Sequence, residues 1–579
     1  MTAWADGAWL DLDAPSGLPP AYALTTPTGP LLITAEVEML LPGTASVPED
    51  PEWMGAPWLD TSTASYQLES VETLRASDRG YRTRATDPLG VVAYPARLAE
   101  AGSIDRAVNL APGSSAAGAS WGEIRLANTD RRYDVLIGTR NVDGRPARLR
   151  VGRKVRDVSR GYDMDPPDAS LADAWRGFAL PWRVDDTHLI IPLRDATYWA
   201  ERPLQSSLYA GTGGYEGTAE LAGLPRPKAR GGTASAPIRG VSLVLIDPAN
   251  RIYQYSDGLG AVVTLYERGG AVFTPGSDYP SYAALAAATV ASGAYATCDA
   301  LSLVKLGATA EGEITADVVA AFPMAGYVSS AGLLALRTLT EDMALDPGLI
   351  DVGSFVGCAA AWPYTAGYYA AEAQQGLDTA AGLLGSIGCR LVPTRSGRLA
   401  AVSMRRLSVG VRPAAIYTTA HIVSATPVDF GTPLTPPASR WRVAWGRNHT
   451  VQTTDYAAGL SDARKQALAQ EWQVATAPNT AVAQAYARPS DPDPVQTDLL
   501  DGTQAAAIVA DLVAMFGDGL SAFDLEMPTE FVLRHEIGDV LAVQYPQGAL
   551  ARGPLVRVTG DSIRLGEPTA KLRVLVEPQ

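Results

Sequence analysis

The chain has 579 residues, of which 47% are apolar and only 19% charged, with 55 glycines and 42 prolines. This length exceeds what one hydrophobic core supports, and the many turn residues favour β-rich architecture, so we expect about three to five packed domains. The formal net charge of -15 argues against a surface that grips nucleic acid by neutralising phosphates.

The N-terminal 80 residues are rich in turn-forming residues and contain one strand-like stretch, PLLITAEVEMLL. The start of the chain lacks the basic and apolar regions of a secretory signal, and no run of about 18 apolar residues occurs. We therefore expect a chain that is made and kept soluble in a cytoplasm, with no integral membrane association.

From Tyr81 onward, alternation of apolar and polar residues predicts a small antiparallel β domain. Strand-like stretches include WGEIRLANTDRRYDVLIG and RPARLRVGRKV, with a turn at Asp143-Gly144, and a strand over His188 to Asp195. A glycine-rich loop, the strand VSLVLID and a short alanine-rich helix in SYAALAAATVASG follow. We interpret this second stretch as an inserted α+β domain.

The clearest helix follows Gly326, where one face carries apolar residues at helical spacing and a glycine stands just beyond the end. These residues are Leu377, Ala380, Ala381, Leu384, Ile387 and the terminating Gly388. A hairpin with its turn at Ser396-Gly397 comes next.

The last part of the chain opens with a predicted strand, SRWRVAWGRNHTVQ, and continues through two helices. The second helix carries the stripe Ala505, Ile508, Leu512 and Met515, and Gly517 can end it. Three strands close the chain, and in the final one Leu572, Val574 and Val576 alternate with Lys571, Arg573 and Leu575.

The predicted fold is multidomain and mainly β with α+β parts, built from small antiparallel β-barrel or sandwich domains. The predicted divisions are 1–80, an N-terminal loop-rich β segment; 81–204, a first β domain; 205–325, the inserted α+β domain; 326–424, a helix-plus-hairpin α/β domain; and 425–579, a C-terminal β domain.

The glycine-rich loop, YAGTGGYEGT (Tyr209 to Thr218), has the glycine density of a phosphate cradle. A dinucleotide fingerprint needs a third glycine where Glu216 stands, and a P-loop needs Gly-Lys-Ser/Thr at its end. A carboxylate therefore lies where phosphate charge would sit. We predict no cofactor here and assign Gly211 to Gly214 to a flexible turn.

The residues that could carry acid–base or metal chemistry are scattered. His188, His449 and His535 lack a serine elbow or a second histidine at ligand spacing, so we interpret them as structural. Cys298, Cys358 and Cys389 are an odd number in apolar settings, which favours buried free thiols over zinc or iron–sulfur ligands.

Two enzymatic alternatives stay open at this point. A Cys298 or Cys358 dyad with His421 lacks a local nucleophile signature, and a glycosidase needs only two of the 62 acidic residues. The Pro-rich acidic stretches VPEDPEWM and SDPDPVQTD lack calcium-loop spacing, so we expect solvated loops there. We predict a protein that is not an enzyme, with no catalytic, cofactor-binding or metal-binding residues.

Several stretches together resemble the central hub, or baseplate hub, proteins at the tail tip of long-tailed bacteriophages and gene transfer agents. The resemblance covers roughly the last five-sixths of the chain in consistent order. The matching stretches are Trp121 to Asp134, Leu208 to Gly231, Arg251 to Gly258, Tyr266 to Thr289, Gly293 to Val318 and Glu536 to Asp561.

The resemblance implies a homotrimer in the virion of a siphophage-like particle, in which 81–204 and 425–579 are two related hub β domains. Three subunits then form a pseudo-sixfold ring that adapts the hexameric tail tube and distal tail protein ring to a threefold tip. An axial channel would let DNA pass at ejection without stable binding, and an acidic lumen would repel it. Tape-measure protein and tail fibre or tip proteins are the other implied partners.

In this resemblance the glycine-rich loop belongs to an inserted structural domain with no nucleotide role. The sequence ends directly after a β domain, so we expect host recognition to belong mainly to partner proteins. Two alternatives stay open: a tail-associated lysin that degrades cell wall, and a receptor-binding tail protein.

Overall fold

A computed structural model describes most of the chain after the N-terminal segment. The described residues are 30–41, 70–113, 117–157, 159, 161–408, 410–430, 434–517 and 520–577. The predicted acidic loop VPEDPEWM lies outside them, as does most of the predicted N-terminal segment.

The strands of the described residues follow in chain order. They are β1 (Leu31–Leu41), β2 (Ser70–Ser77), β3 (Tyr81–Arg82), β4 (Ala93–Tyr94), β5 (Leu98–Ala101), β6 (Ser103–Val108), β7 (Ala117–Ser120), β8 (Glu123–Ala127), β9 (Pro146–Arg153), β10 (Val155–Asp157), β11 (Tyr162–Met164), β12 (Ala172–Ala179), β13 (Arg183–Val184), β14 (His188–Arg194), β15 (Lys228–Gly231), β16 (Ile238–Ser242), β17 (Val244–Asp247), β18 (Ile252–Gln254), β19 (Gly260–Glu267), β20 (Thr274–Asp278), β21 (Ala294–Cys298), β22 (Leu303–Leu306), β23 (Ile314–Ala320), β24 (Gly367–Ala370), β25 (Cys389–Pro393), β26 (Leu399–Ser403), β27 (Ala415–Tyr417), β28 (Ser424–Val428), β29 (Arg440–Trp445), β30 (Gln473–Pro478), β31 (Val495–Gln496), β32 (Ala522–Pro528), β33 (Val540–Val543), β34 (Leu555–Arg564) and β35 (Thr569–Val576).

The α-helices of the same residues are fewer and lie mainly in the second half of the chain. They are α1 (Asp134–Ile137), α2 (Thr197–Ala200), α3 (Tyr282–Ala287), α4 (Ala331–Arg337), α5 (Val352–Ala361), α6 (Gly376–Ser386), α7 (Asp462–Leu468), α8 (Thr480–Ala485), α9 (Gly502–Phe516) and α10 (Thr529–Val532).

The first large sheet is barrel-like. Its strands run in the order β2-β1-β9-β12-β14-β8-β5, with β13 paired to β14. A bridge between Ser77 and Ala96 brings the two ends of this sheet together. The enclosed core contains Trp175, which is fully buried, and the strand predicted over His188 to Asp195 is present as β14.

The second large sheet contains the three strands that close the chain. Its order is β27-β33-β34-β35-β32-β28, and β6 and β7 join it through β34. Leu572 and Val574 of β35 point into the core shared with the first sheet, whereas Leu575 packs on a separate, helix-rich core. The predicted alternation of the final strand is therefore confirmed, and a mainly β fold with several antiparallel sheets is present.

One long hairpin connects the two sheets. Strands β5 and β8 form its half in the first sheet, and β6 and β7 form its half in the second. The bend lies at Gly102 and Gly122, which have φ values of +80° and +63°. A Cβ on Gly122 would lie 2.8 Å from the backbone nitrogen of Ser103, so the two arms touch at the bend. Glycine allows both the left-handed backbone and this close approach.

The stretch from Gln205 to Ala325 forms two five-stranded sheets. One has the order β16-β23-β15-β24 with β19 on β23, and the other has the order β17-β18-β22-β21-β20. The short helix predicted in this stretch is present as α3, where the Ser281 hydroxyl accepts a hydrogen bond from the Ala284 amide at 3.3 Å. Strand β24 comes from farther along the chain and ties this stretch to the helices.

The helix-rich core packs α4, α5, α6 and α9 against the β25–β26 hairpin and β29. The predicted helix before Gly388 is confirmed as α6, and Gly388 has φ +74°. The predicted hairpin is confirmed as β25–β26. The stripe of the other predicted helix is present on α9, which begins at a capping Asp501.

Three local predictions were wrong. The last part of the chain has α7 and α8 before α9, not a single helix, because Ser461 and Asn479 each cap a short helix of their own. The strand through SRWRVAWGRNHTVQ ends at Trp445, since Gly446 has φ +59°. Beyond β8, the strand-like stretch that begins at Trp121 turns into α1. The predicted domain boundaries stay a prediction.

The bend gives a first test. Gly122→Ala combines a left-handed backbone with a Cβ pressed on a backbone atom, and we expect a loss of about 2–4 kcal/mol in the free energy of unfolding. Gly90→Ala is the matched control, because Gly90 has φ +63° and open space around it; its expected loss is about 1 kcal/mol. Urea denaturation followed by tryptophan fluorescence measures both, and equal losses would contradict the close contact at the bend.

Candidate functional site

Two of the stretches that carry the hub resemblance meet around three basic side chains. Arg226, Lys228 and Arg230 alternate along LPRPKARG, and all three are buried at 5% exposure or less. We call these three residues the basic ladder. Residues two apart on an extended chain share one face, which explains why the three cations point the same way.

Arg226 holds the glycine-rich loop. Its guanidinium donates to the Glu216 carboxylate at 2.8 Å and to the Tyr215 carbonyl at 3.1 Å. It also lies over the rings of Tyr209 and Tyr215, 4.5 and 4.3 Å from their centroids. Charge pairing and cation–π contact therefore act on one side chain.

The loop itself is ordered by the chain's own hydrogen bonds. The Gly211 amide donates to the Glu216 carbonyl at 2.8 Å, and the Gly213 amide donates to the Gly217 carbonyl at 2.7 Å. The Glu216 carboxylate also accepts from the Ala210 amide at 3.2 Å. The predicted flexibility of this turn stays a prediction. The Glu216 carboxylate is already bound by Arg226 and the Ala210 amide.

Lys228 and Arg230 share two aspartates. Arg230 lies 2.9 Å from an Asp257 oxygen and 2.8 Å from an Asp342 oxygen, and Lys228 lies 3.3 and 2.9 Å from the same two carboxylates. Tyr368 donates to Asp342 at 2.8 Å. Burial alone would lower the pKa of Arg230, but Asp342 and Asp257 raise it. Arg230 therefore stays charged inside the protein.

The basic ladder joins segments that are distant in sequence. Glu216 lies in the glycine-rich loop, Asp257 in the RIYQYSDG stretch and Asp342 at the end of the helical segment after α4. Three cations face three carboxylates, so the cluster is neutral and each cation already has a partner. This arrangement can hold the inserted stretch against the helices, and it leaves no charge for an anionic ligand.

A second cluster of charged side chains lies in the second large sheet, beside the connecting hairpin, where Arg106 and Asp561 are fully buried and Glu536 is partly exposed. We call Arg106, Arg395, Glu536 and Asp561 the seam cluster. Arg106 of β6 donates to both oxygens of Asp561 on β34, and to Glu536 at 2.6 Å. The Arg395 amide donates to Glu536 at 3.1 Å, which adds the β25–β26 hairpin. Three separate segments are thus fixed at the bend of the connecting hairpin.

Two of the four histidines, His421 and His535, contact the same Tyr417, whereas His188 and His449 lie elsewhere. His535 is buried and bonds the Tyr417 hydroxyl at 2.6 Å, while burial lowers the pKa of His449 to about 3. His188 contacts Thr187, and His421 stacks edge-on against Tyr417 and Phe531. Each contact fits a structural role.

The three cysteines are free and buried, as predicted. Cys298 belongs to a small core with Tyr209 and Ile252, and Cys358 belongs to the helix-rich core. His421 instead packs on Tyr417 of the core between the large sheets. The structure therefore does not bring either candidate cysteine of the dyad together with His421.

Two further properties concern the described part of the chain. It holds no group of three or more His, Cys, Asp or Glu residues that could bind a metal ion. It also has no helix with the length and apolar character needed to cross a membrane.

Comparisons with known proteins give distant matches only. No family model and no curated protein matches the chain. Among solved structures, a 43 kDa tail protein of prophage MuSo2 from Shewanella oneidensis has a TM-score of 0.30 at 8% identity, over 83% of this chain and 93% of its own.

Two further solved structures are also tail or particle proteins. A tail protein from Neisseria meningitidis MC58 has a TM-score of 0.31 at 10% identity, over 83% of this chain and 94% of its own. A chain from the virion of a native gene transfer agent particle has a TM-score of 0.33 at 15% identity, over 61% and 84%. Scores of this size do not establish a shared fold.

The basic ladder gives the second test. Asp342→Asn leaves Lys228 and Arg230 with one carboxylate in a buried site, and we expect a loss of about 3–5 kcal/mol in the free energy of unfolding. Asp491→Asn is the matched control, because Asp491 pairs with Arg440 at the surface with 45% of its side chain exposed; solvent screens this pair, so we expect a much smaller loss. Denaturation by urea compares the two. Similar losses would mean that the buried pairing adds no stability.

The stability that the seam cluster contributes should depend on pH. Burial raises the pKa of Glu536, but Arg106 and Arg395 lower it further, so the net pKa lies below its ordinary value of 4.5. The stability that Glu536 contributes is therefore present above pH 4.5 and is lost as pH falls through the lowered pKa. We expect wild type to unfold at a higher temperature than Glu536→Gln at pH 6, and the gap to shrink below about pH 4. A gap that stays constant from pH 6 to 3 would contradict this role.

Proposed function

We propose that this chain is the structural hub of a phage tail tip or baseplate. In this proposal three copies form a ring that adapts the sixfold tail tube and distal tail protein ring to a threefold tip. The sequence stretches that resemble hub proteins support it, because one of them supplies the whole basic ladder, a second supplies its partner Asp257, and a third supplies both carboxylates of the seam cluster.

The observation that carries the proposal is the seam between the two large sheets. A pseudo-sixfold ring of three chains needs two β units per chain, held at one fixed angle. The hairpin from Leu98 to Ala127 runs through both sheets, and on its β6 strand Arg106 is bound to Asp561 and Glu536 of the second sheet. These ion pairs hold the second half of the hairpin on β34, because separating the buried guanidinium from its carboxylates would leave a buried charge unpaired.

The free strand edges fit assembly into a ring. Within the described residues, β7 pairs only with β6, and Gly118, Ala119 and Ser120 are exposed. β28 is the outer strand at the opposite end of the same sheet. Strand edges of this kind can continue a sheet into a neighbouring subunit, which also protects them from unwanted pairing.

The charges fit a channel through which DNA passes without binding. The net charge is -15, and the buried cations of the basic ladder are already paired within the chain. An acidic lumen repels phosphates over about 8 Å at physiological salt. The proposed partners are the distal tail protein ring, the tape-measure protein and tail fibre or tip proteins. The proposed role involves no enzymatic step.

Copy number tests the proposal. We expect quantitative mass spectrometry of purified particles to count three chains per particle, and imaging of the same particles to place them on the tail axis below the tube. The trimeric ring follows from two β units per chain facing six subunits above. A copy number other than three, or a position off the axis, would refute the hub. Dose-dependent release of muropeptides from cell-wall sacculi by the pure protein would favour the lysin instead.

A further inference from the structure

Two of the three buried thiols touch each other. The sulfur of Cys389 lies 3.3 Å from the sulfur of Cys358, although the two residues are 31 positions apart. Cys358 lies on α5, and Cys389 begins β25. A disulfide has a sulfur–sulfur distance of about 2.05 Å, so this 3.3 Å contact closes after a shift of about 1.3 Å.

The surroundings favour reaction at Cys358. The Cys389 thiol donates a hydrogen bond to the Cys358 sulfur, and this bond lowers the pKa of Cys358. The same bond and burial raise the pKa of Cys389. The two thiols therefore differ, with Cys358 suited to attack and Cys389 suited to follow.

Cys358 lies close to the protein surface. It keeps 6% of its surface exposed, and its thiol donates to the carbonyl oxygen of Ala401 at 3.7 Å. Ala401 also lines an open groove of about 340 Å³, whose walls include Arg405, paired with Asp511, and Arg557, paired with Glu577. We expect a small-molecule disulfide to approach Cys358 from this groove.

We propose that Cys358 and Cys389 are a modification site that forms a reversible disulfide between α5 and β25. The Cys358 thiolate attacks one sulfur of a small-molecule disulfide, and a mixed disulfide forms as the first small thiol leaves. The Cys389 sulfur then attacks the Cys358 sulfur and releases the second small thiol. Two electrons pass to the small disulfide, and the two protein protons end on its two thiols.

This bond would change how firmly α5 is held. Helix α5 contacts α4 and β26 in the helix-rich core, and a disulfide would add a covalent link from α5 to β25. In a reducing cytoplasm the two thiols would stay reduced and this link would be absent. Bond formation is a property of the chain alone. In nature the disulfide would form when host cells lyse and reducing conditions are lost; this part of the inference rests on the proposed function.

The test uses the full-length protein, first reduced and then incubated with excess oxidised glutathione. We expect two of three thiols to disappear, and peptide mapping without reductant to find Cys358 joined to Cys389. The thermal unfolding midpoint should rise and return on reduction. Cys298→Ser is the matched control, because Cys298 lies in another core; it should form the same bond and keep no free thiol.

A second variant separates the steps. Cys389→Ser should stop at a mixed disulfide of glutathione on Cys358, with no cross-link. Three thiols left free in the folded protein, or a link that includes Cys298, would overturn the proposal. If Cys389→Ser fails to fold, the peptide map of wild type and Cys298→Ser decides alone. All of these results are independent of copy number in the particle, so they do not bear on the hub itself.

Discussion

The need to give each buried cation polar partners is the constraint on which this fold depends. Taking a guanidinium or ammonium out of water is costly unless carboxylate or carbonyl oxygens accompany it, so each buried cation fixes the position of its partners. Arg106 and Asp561 are 455 residues apart, yet they share two hydrogen bonds in the interior. Arg230 likewise fixes both Asp257 and Asp342. Hydrophobic burial alone would not select these registers, because apolar surfaces can slide past each other at little cost.

Glycine supplies the complementary property, close approach of backbones. Gly102 and Gly122 let one hairpin serve two sheets, and the seam cluster lies beside that bend. The glycine-rich loop uses the same freedom differently: its left-handed residues, such as Gly211 and Gly213, wrap the chain around the Arg226 guanidinium. At the hairpin bend and in the glycine-rich loop, glycine lets the backbone adopt its path, and a buried arginine paired with a carboxylate then stabilises that path.

Sequence patterns were sufficient to predict those helices and strands that are determined by neighbouring residues. Helix α6 follows from apolar spacing and Gly388, and the last strand follows from alternation, since both signals lie within about a dozen residues. The basic ladder depends on Asp342, which is 112 residues from Arg230, so no window of sequence contains both. One signal could have found half of it: three basic residues at strand spacing in LPRPKARG, within a chain that is only 19% charged. The seam cluster has no such signature.

In the proposed ring, the ion pairs and the connecting hairpin together determine how the chain resists force. Within the second large sheet, a force that slides β6 along β34 must break the ladder hydrogen bonds between these strands and, at the same step, separate Arg106 from Asp561 and Glu536. These interactions resist together, as ladder hydrogen bonds and ion pairs do when they share a shear direction. The inserted stretch is held to the helices by β24 and the basic ladder, outside this seam. The contacts that hold the inserted stretch are therefore separate from those that join β6 to β34, the strand pairing that brings the connecting hairpin into the second sheet.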